Sequence, residues 1–287
     1  MTIERIFVAG AGLMGHGIGQ VHAVIGKHVV LYEPDLARAQ AGRERIAGNL
    51  DRAVAKGKLD SDQRDATIGR VLATDDVELV RSADLVVEAV FEDLDVKRAL
   101  WATLDERAPD ATIFASNTSS ISIDALAEAV SPARRERFVG MHFFSPVPLM
   151  PLVELIRGAA TTDATERTIR ELTEALGKKL IVSADRPGFI VNRILMPFLA
   201  EAMRAYEEGL ATAEDIDTGA KVGLNHPMGP LELADFIGLD VCLHIMEVLH
   251  EGFDEAHFAP PDVLRDLVEA GHLGQKTGRG FYTYPRA

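Results

Sequence analysis

A lone histidine, His142, sits in the apolar run GMHFF, and a lone carboxylate, Glu154, sits in the next strand-like run, PLVELI. Imidazole titrates nearest neutrality, so it can take a proton from a hydroxyl and give it back. A carboxylate bonded to its far nitrogen would fix the tautomer and stabilise the imidazolium. Taken alone, the pair reads as a satisfied core histidine and an edge glutamate. A second motif turns it towards chemistry. In VAGAGLMGHG, Gly10, Gly12 and Gly15 form G-x-G-x-x-G directly after an apolar strand pattern and before a helical one running from Met14 to about Ile25. Such glycines let the backbone approach a pyrophosphate, which then sits on the helix N-terminus. Leu13 and Met14, inside the motif, count with the cofactor-binding residues. Glu33 ends the second strand pattern, where a carboxylate accepts from the ribose hydroxyls of a dinucleotide and repels a 2′-phosphate, so NAD rather than NADP is expected. A hydride cofactor beside a histidine base is the equipment of an oxidoreductase acting on CH–OH.

The elements that must position these groups are legible as short β-branched runs alternating with amphipathic stretches, the pattern of a parallel sheet flanked by helices. Strands are expected at 5–10, 28–33, 85–90, 112–117, 138–144, 152–156 and 179–183. The near-continuous apolar character of the early ones suits strands buried on both faces. From Asn192 onward only helical periods occur, interrupted by LNHPMGP, and Pro187 and Gly188 mark a hinge. The expected architecture is α/β: a Rossmann-type doubly wound sheet over residues 1–185, then an all-α domain over 186–287 that contributes to the substrate site and to dimerisation. No internal repeat or low-complexity tract is visible.

Composition narrows the function. The 287-residue chain is 47% hydrophobic and 26% charged, and its net charge of −14 argues against binding a nucleic-acid backbone. A phosphorylated small molecule is compatible, since local lysines and backbone amides suffice. The single cysteine, Cys242, excludes an internal disulfide and a cysteine-based zinc cluster, and its apolar helical setting reads as buried and inert. His16, His22 and His28 are spaced by six, which shares no helical face, and no HExxH occurs, so no metal is expected. There is no secretory signal pattern and no run of membrane-spanning length, so a cytoplasmic protein is expected.

Seven stretches, in this order, resemble the L-3-hydroxyacyl-CoA dehydrogenases, including the 3-hydroxybutyryl-CoA dehydrogenases: GAGLMGHGI, DLVVEAVFED, ASNTSSISI, GMHFFSPVPLMPLVELI, DRPGFIVNRIL, GLNHPMGPLELADFIGLD and GQKTGRGFYTY. The resemblance spans essentially the whole chain. It implies oxidation of (S)-3-hydroxyacyl-CoA to 3-ketoacyl-CoA with NAD, and the reverse, with His142 as general base and Glu154 as its orienting partner. Ser119 would bond the substrate oxygens and touch the cofactor, although its local sequence reads as a helix N-cap, a duty that Ser120 or Ser122 could also take. Asn192 would hold a thioester or keto oxygen, where local sequence suggests capping. Glu92 and Lys97 would line the cofactor, although by themselves they read as a solvated helix-start charge and an exposed lysine. Lys56 would face the CoA phosphates, with Lys58 competing for that role. Ser145 stands where many relatives carry asparagine, so a cofactor contact there would be shorter or water-mediated. A homodimer through the helical domain is implied as well.

Two other readings stay open at this stage. One is a relative acting on a free hydroxy acid of the L-gulonate or carnitine type, against which the Lys56 region speaks. The other is a non-catalytic NAD-binding structural protein, against which the combination of His142, Glu154, Ser119 and Asn192 speaks.

Overall fold

The structure, a computed structural model, describes residues 2–285. The chain divides into two compact units, Met1–Arg186 and Pro187–Ala287.

The first unit holds β1 (Arg5–Ala9), α1 (Leu13–Val24), β2 (His28–Tyr32), α2 (Leu36–Ala55), α3 (Ser61–Gly69), β3 (Val71–Thr74), β4 (Leu85–Glu88), α4 (Leu94–Asp105), β5 (Ile113–Ser116), α5 (Ile123–Ala127), α6 (Pro132–Arg135), β6 (Phe138–Phe143), β7 (Leu152–Arg157), α7 (Asp163–Ala175) and β8 (Lys179–Ala184). Its eight strands form one sheet in the order β3-β2-β1-β4-β5-β6-β7-β8. The first six run parallel, as crossover helices require. Strand order reverses between β1 and β4, which opens a crevice beyond the carboxyl ends of those strands. β4 and β5 are buried along their whole length, and β1 apart from Arg5, which accounts for their unbroken apolar character. β3 is a strand absent from the sequence expectation: VLAT is short, lies at the sheet edge and leaves Leu72 exposed.

The direction changes at β6. An eight-residue connection, too short for a crossover, returns the chain as β7 antiparallel to β6, and β8 then pairs parallel to β7. Register sets His142 directly opposite Glu154. Residues facing each other in an antiparallel pair project on the same side of the sheet, so the two side chains meet. Beneath this half of the sheet Trp101, Phe114 and Phe138 pack ring against ring, with the buried Arg134 over Phe114.

The second unit consists of α8 (Val191–Glu207), α9 (Ala213–Thr218), α10 (Pro230–Ile237), α11 (Leu239–Phe253) and α12 (Asp262–Glu269), with short 3-10 and π turns between them. Met196, Leu199, Leu231, Met246 and Leu249 centre its own core. Cys242 is buried there, and burial pushes its thiol up to about 12, which makes it unreactive. Two buried carboxylates organise the unit. Asp217 accepts from Leu231 N and Glu232 N, at 2.8 and 2.9 Å, so it serves α10 as an N-cap that Gly229 cannot supply. Asp235 accepts from Phe281 N, Tyr282 N and the Tyr284 hydroxyl and thereby fastens the C-terminal segment. No helix among the described residues is long and apolar enough to cross a membrane.

Candidate active site

The glycine motif lies at the crevice where strand order reverses. Gly10 has φ of 104°, a conformation that side chains rarely adopt, and a Cβ there would also lie 2.5 Å from the Ala89 carbonyl oxygen. A Cβ on Gly15 would lie 1.7 Å from the Gly10 oxygen, so α1 packs on β1 only because that atom is missing. Gly12 differs, because a Cβ there would meet nothing within 4 Å. No neighbour among the described residues demands glycine at that position, whereas a ligand approaching the first amides of α1 would. Leu13 is 71% exposed at the start of the helix. Glu33 follows β2, and its Oε1 accepts from Ala11 N at 2.8 Å, which holds the carboxylate at the rim of the loop. These residues fit a dinucleotide: a cradle without Cβ atoms, a helix N-terminus for its phosphates and a carboxylate for its ribose.

A second group gathers at the ends of β5, β6 and β7. Glu154 is wholly buried and its Oε2 lies 2.8 Å from His142 Nδ1. The carboxylate has only acceptor atoms, so Nδ1 carries the hydrogen and Nε2 presents its lone pair. Ser119 Oγ stands 3.0 Å from that Nε2. Serine, histidine and glutamate thus form one hydrogen-bonded line, able to take a proton from a hydroxyl and keep the resulting imidazolium paired. Ser122, not Ser119, caps α5, through Ala125 N. Phe144 packs on the imidazole at a centroid distance of 4.6 Å. The connection from β6 to β7 is tied down by Lys178, whose ammonium donates to the carbonyls of Val147 and Met150 at 2.7 and 2.6 Å. Burial lowers the pKa of this lysine.

The loop carrying Ser119 hangs on Glu92. Glu92 Oε1 accepts from Ser119 N at 2.8 Å, from Ser120 N at 3.2 Å and from the hydroxyls of Thr118 and Ser120. Burial opposes ionisation of Glu92, but the Lys97 ammonium and these donors outweigh it and hold the carboxyl below the usual range. Lys97 is not the exposed lysine that its local sequence suggests: it is 1% exposed, with Nζ 2.6 Å from Glu88 Oε1 and 3.0 Å from Glu92 Oε2. Glu88, absent from the sequence-derived candidates, carried one signal that could have found it. It is the single charge in the apolar strand LVVE.

Along α1 and the end of α2 lies a cavity of about 450 Å³ lined by His16, Arg52, Lys56, Lys58 and Ser145 among others. It holds both candidate lysines, so position does not choose between them. Asn192 is buried in the first turn of α8, whose N-cap position is Ile190, so it is not a capping residue. Just before it, Phe189 adopts a positive φ of 51°, a conformation its residue type would not announce.

Known proteins sharpen the reading. Residues 5–186 match the model of the 3-hydroxyacyl-CoA dehydrogenase NAD-binding domain, and residues 188–284 match that of the 3-hydroxyacyl-CoA dehydrogenase C-terminal domain. The chain belongs to the 3-hydroxyacyl-CoA dehydrogenase family. Among relatives in this family, a 3-hydroxybutyryl-CoA dehydrogenase of Bradyrhizobium diazoefficiens is 48% identical, over 99% of this chain and 96% of its own. A probable 3-hydroxybutyryl-CoA dehydrogenase of Bacillus subtilis is 46% identical over 99% and 98%. The crystal structure of (S)-3-hydroxybutyryl-CoA dehydrogenase from Ralstonia eutropha superposes with a TM-score of 0.96 at 44% identity, covering 99% of this chain and 100% of that one. The match of residues 5–186 to an NAD-binding domain identifies NAD as the cofactor.

Proposed function

We propose that this chain interconverts short (S)-3-hydroxyacyl-CoA and 3-ketoacyl-CoA thioesters, such as 3-hydroxybutyryl-CoA and acetoacetyl-CoA, with His142 as general base and acid. The observation that carries the reading is the Ser119–His142–Glu154 line in the same unit as the glycine-loop crevice. Held by Gly10, Gly12, Gly15 and Glu33, NAD would supply the acceptor for the C3 hydride and, in its reduced form, the donor. In the oxidative direction His142 Nε2 accepts the 3-hydroxyl proton, and Glu154 holds the tautomer that leaves this nitrogen basic. Ser119 orients the oxygen for that transfer. In reverse, the imidazolium donates to the oxygen at C3. Because Glu154 is sealed from water, its pairing with the imidazolium is stronger than it would be at the surface. Lys56 or Lys58, both lining the cavity along α1 and α2, takes the CoA phosphates. The names of the two 3-hydroxybutyryl-CoA dehydrogenase relatives support the short acyl chain.

We also infer a homodimer through the helical unit, because Ile194, Leu210, Val222, Leu224 and Phe236 are large apolar side chains exposed by 55–80%. Sedimentation at micromolar concentration checks it, and a monomer would refute it. The activity itself is tested by loss of NADH absorbance with acetoacetyl-CoA beside free acetoacetate. Turnover of the thioester alone is expected. Equal turnover of both would refute the CoA assignment, and turnover of neither would refute the activity.

A further inference from the structure

Beside the Ser119–His142–Glu154 line lies a second set of charges that takes no proton in the mechanism. Glu88 ends β4 between β1 and β5 and is wholly buried. Its Oε1 accepts from Lys97 Nζ at 2.6 Å and from Val90 N at 2.8 Å, and its Oε2 accepts from Ser116 Oγ at 2.6 Å. Ser116 ends β5 and in turn accepts from Thr118 N at 3.2 Å. Lys97, in the first turn of α4, therefore bridges two carboxylates, with Glu88 on the sheet and Glu92 on the loop before the helix. One oxygen of Glu92 is drawn to the ammonium, and this turns the other towards the amides of Ser119 and Ser120.

Stability alone is a weak reason for such an arrangement. Removing an ammonium and a carboxylate from water costs about as much as their attraction returns, and an apolar pair of the same volume holds a core equally well. What an apolar pair cannot do is aim Glu92. Glu92 holds Ser119 at its amide and His142 at its hydroxyl. Release of the first lets the hydroxyl drift from the second, and misplacement of a reacting group by about 1 Å costs about 10²-fold in rate.

We propose that Glu88 and Lys97 are positioning residues for the reaction, their ion pair setting the direction of Glu92 and Glu92 setting Ser119 against His142. The inference rests on the reading that His142 and Ser119 carry the chemistry.

The test is a double-mutant cycle on kcat for acetoacetyl-CoA, with KM for NADH measured alongside. Lys97→Met lowers kcat by about 10–100-fold, whereas Lys97→Arg, which keeps the charge and the donors, recovers most of the loss. In a Ser119→Ala background the same Lys97→Met change costs less than about threefold, because the group it positions is already gone. A Lys97 that only supports the fold would cost the same factor in both backgrounds. Equal factors, or unchanged kcat in Lys97→Met, would overturn the proposal. Should Lys97→Met not fold, Glu88→Gln/Lys97→Met removes the wholly buried one of the two carboxylates left without the ammonium and enters the cycle in its place. His142→Ala is run beside these variants. Near-wild-type turnover in that variant refutes the underlying reading, whereas its loss combined with equal Lys97 factors refutes only the positioning role.

Discussion

His22 gives the sharpest quantitative prediction, because burial is the main force holding it uncharged at neutral pH. It lies on α1 with no exposed surface, its Nδ1 donates to the Ile18 carbonyl at 2.8 Å, and its Nε2 has no partner among the described residues. The ring of Phe143 meets it edge-on. Desolvation, with smaller contributions from the Lys178 and Lys27 charges, lowers its pKa from 6.5 to about 4 against the opposing bond to Ile18. The unfolded chain therefore takes up a proton near pH 6.5, and the native protein does so only near pH 4. Between those values the unfolded state binds more protons, so stability is complete above the window and falls as pH drops through it. The whole window is worth about 3 kcal/mol, of which about 2 kcal/mol is lost between pH 7 and pH 5. The assay is urea unfolding at both pH values followed by fluorescence of Trp101, the only tryptophan, which is buried in the same unit. His22→Leu fills a similar volume and cannot titrate, so its stability should drop by about 2 kcal/mol less than wild type over that interval. Carboxylates held low, such as Asp105 and Glu92, contribute equally to both proteins and cancel. Parallel pH dependences in the two proteins would refute the argument.

Three further outcomes are expected. Glu154→Gln should lower kcat by about 10²–10⁴-fold with little change in KM, since an amide can donate to Nδ1 and so put the hydrogen on Nε2; steady-state kinetics with acetoacetyl-CoA check it, and a loss below tenfold would refute the orienting role. Glu33→Ala should raise the NADPH-to-NADH ratio of kcat/KM by about 10², because a carboxylate near the ribose repels a 2′-phosphate by a few kcal/mol at an effective dielectric of about 20. Asp217→Asn should destabilise the helical unit by about 2–3 kcal/mol in chemical unfolding, since the buried carboxylate takes two backbone donors and the Tyr282 hydroxyl and an amide has one accepting oxygen.

The sequence alone determined whatever depends on neighbours along the chain. Gly10, Gly12 and Gly15 between a strand and a helix specify a phosphate cradle, because a missing Cβ and a positive φ are properties of single residues. The apolar runs specified seven of the eight strands, while VLAT escaped because an exposed edge strand carries a weak period. Ser119, Ser120 and Ser122 are equivalent as local capping residues, and packing alone assigned the cap to Ser122 and Ser119 to the imidazole. The meeting of His142 with Glu154 is a matter of register. A one-residue slip of β7 would send the carboxylate to the other face, and what excludes the slip is burial of Val153 and Leu155 on one side of the sheet and Glu154 and Ile156 on the other. Tertiary structure likewise decided the fate of the charges in VEAVFEDLDVK. A lysine at a helix start is solvated by default, and only the placement of β4, β5 and α4 around one point encloses Lys97 between Glu88 and Glu92. Local sequence supplies the chemical groups, but burial, which sets their strength and direction, belongs to the assembled sheet.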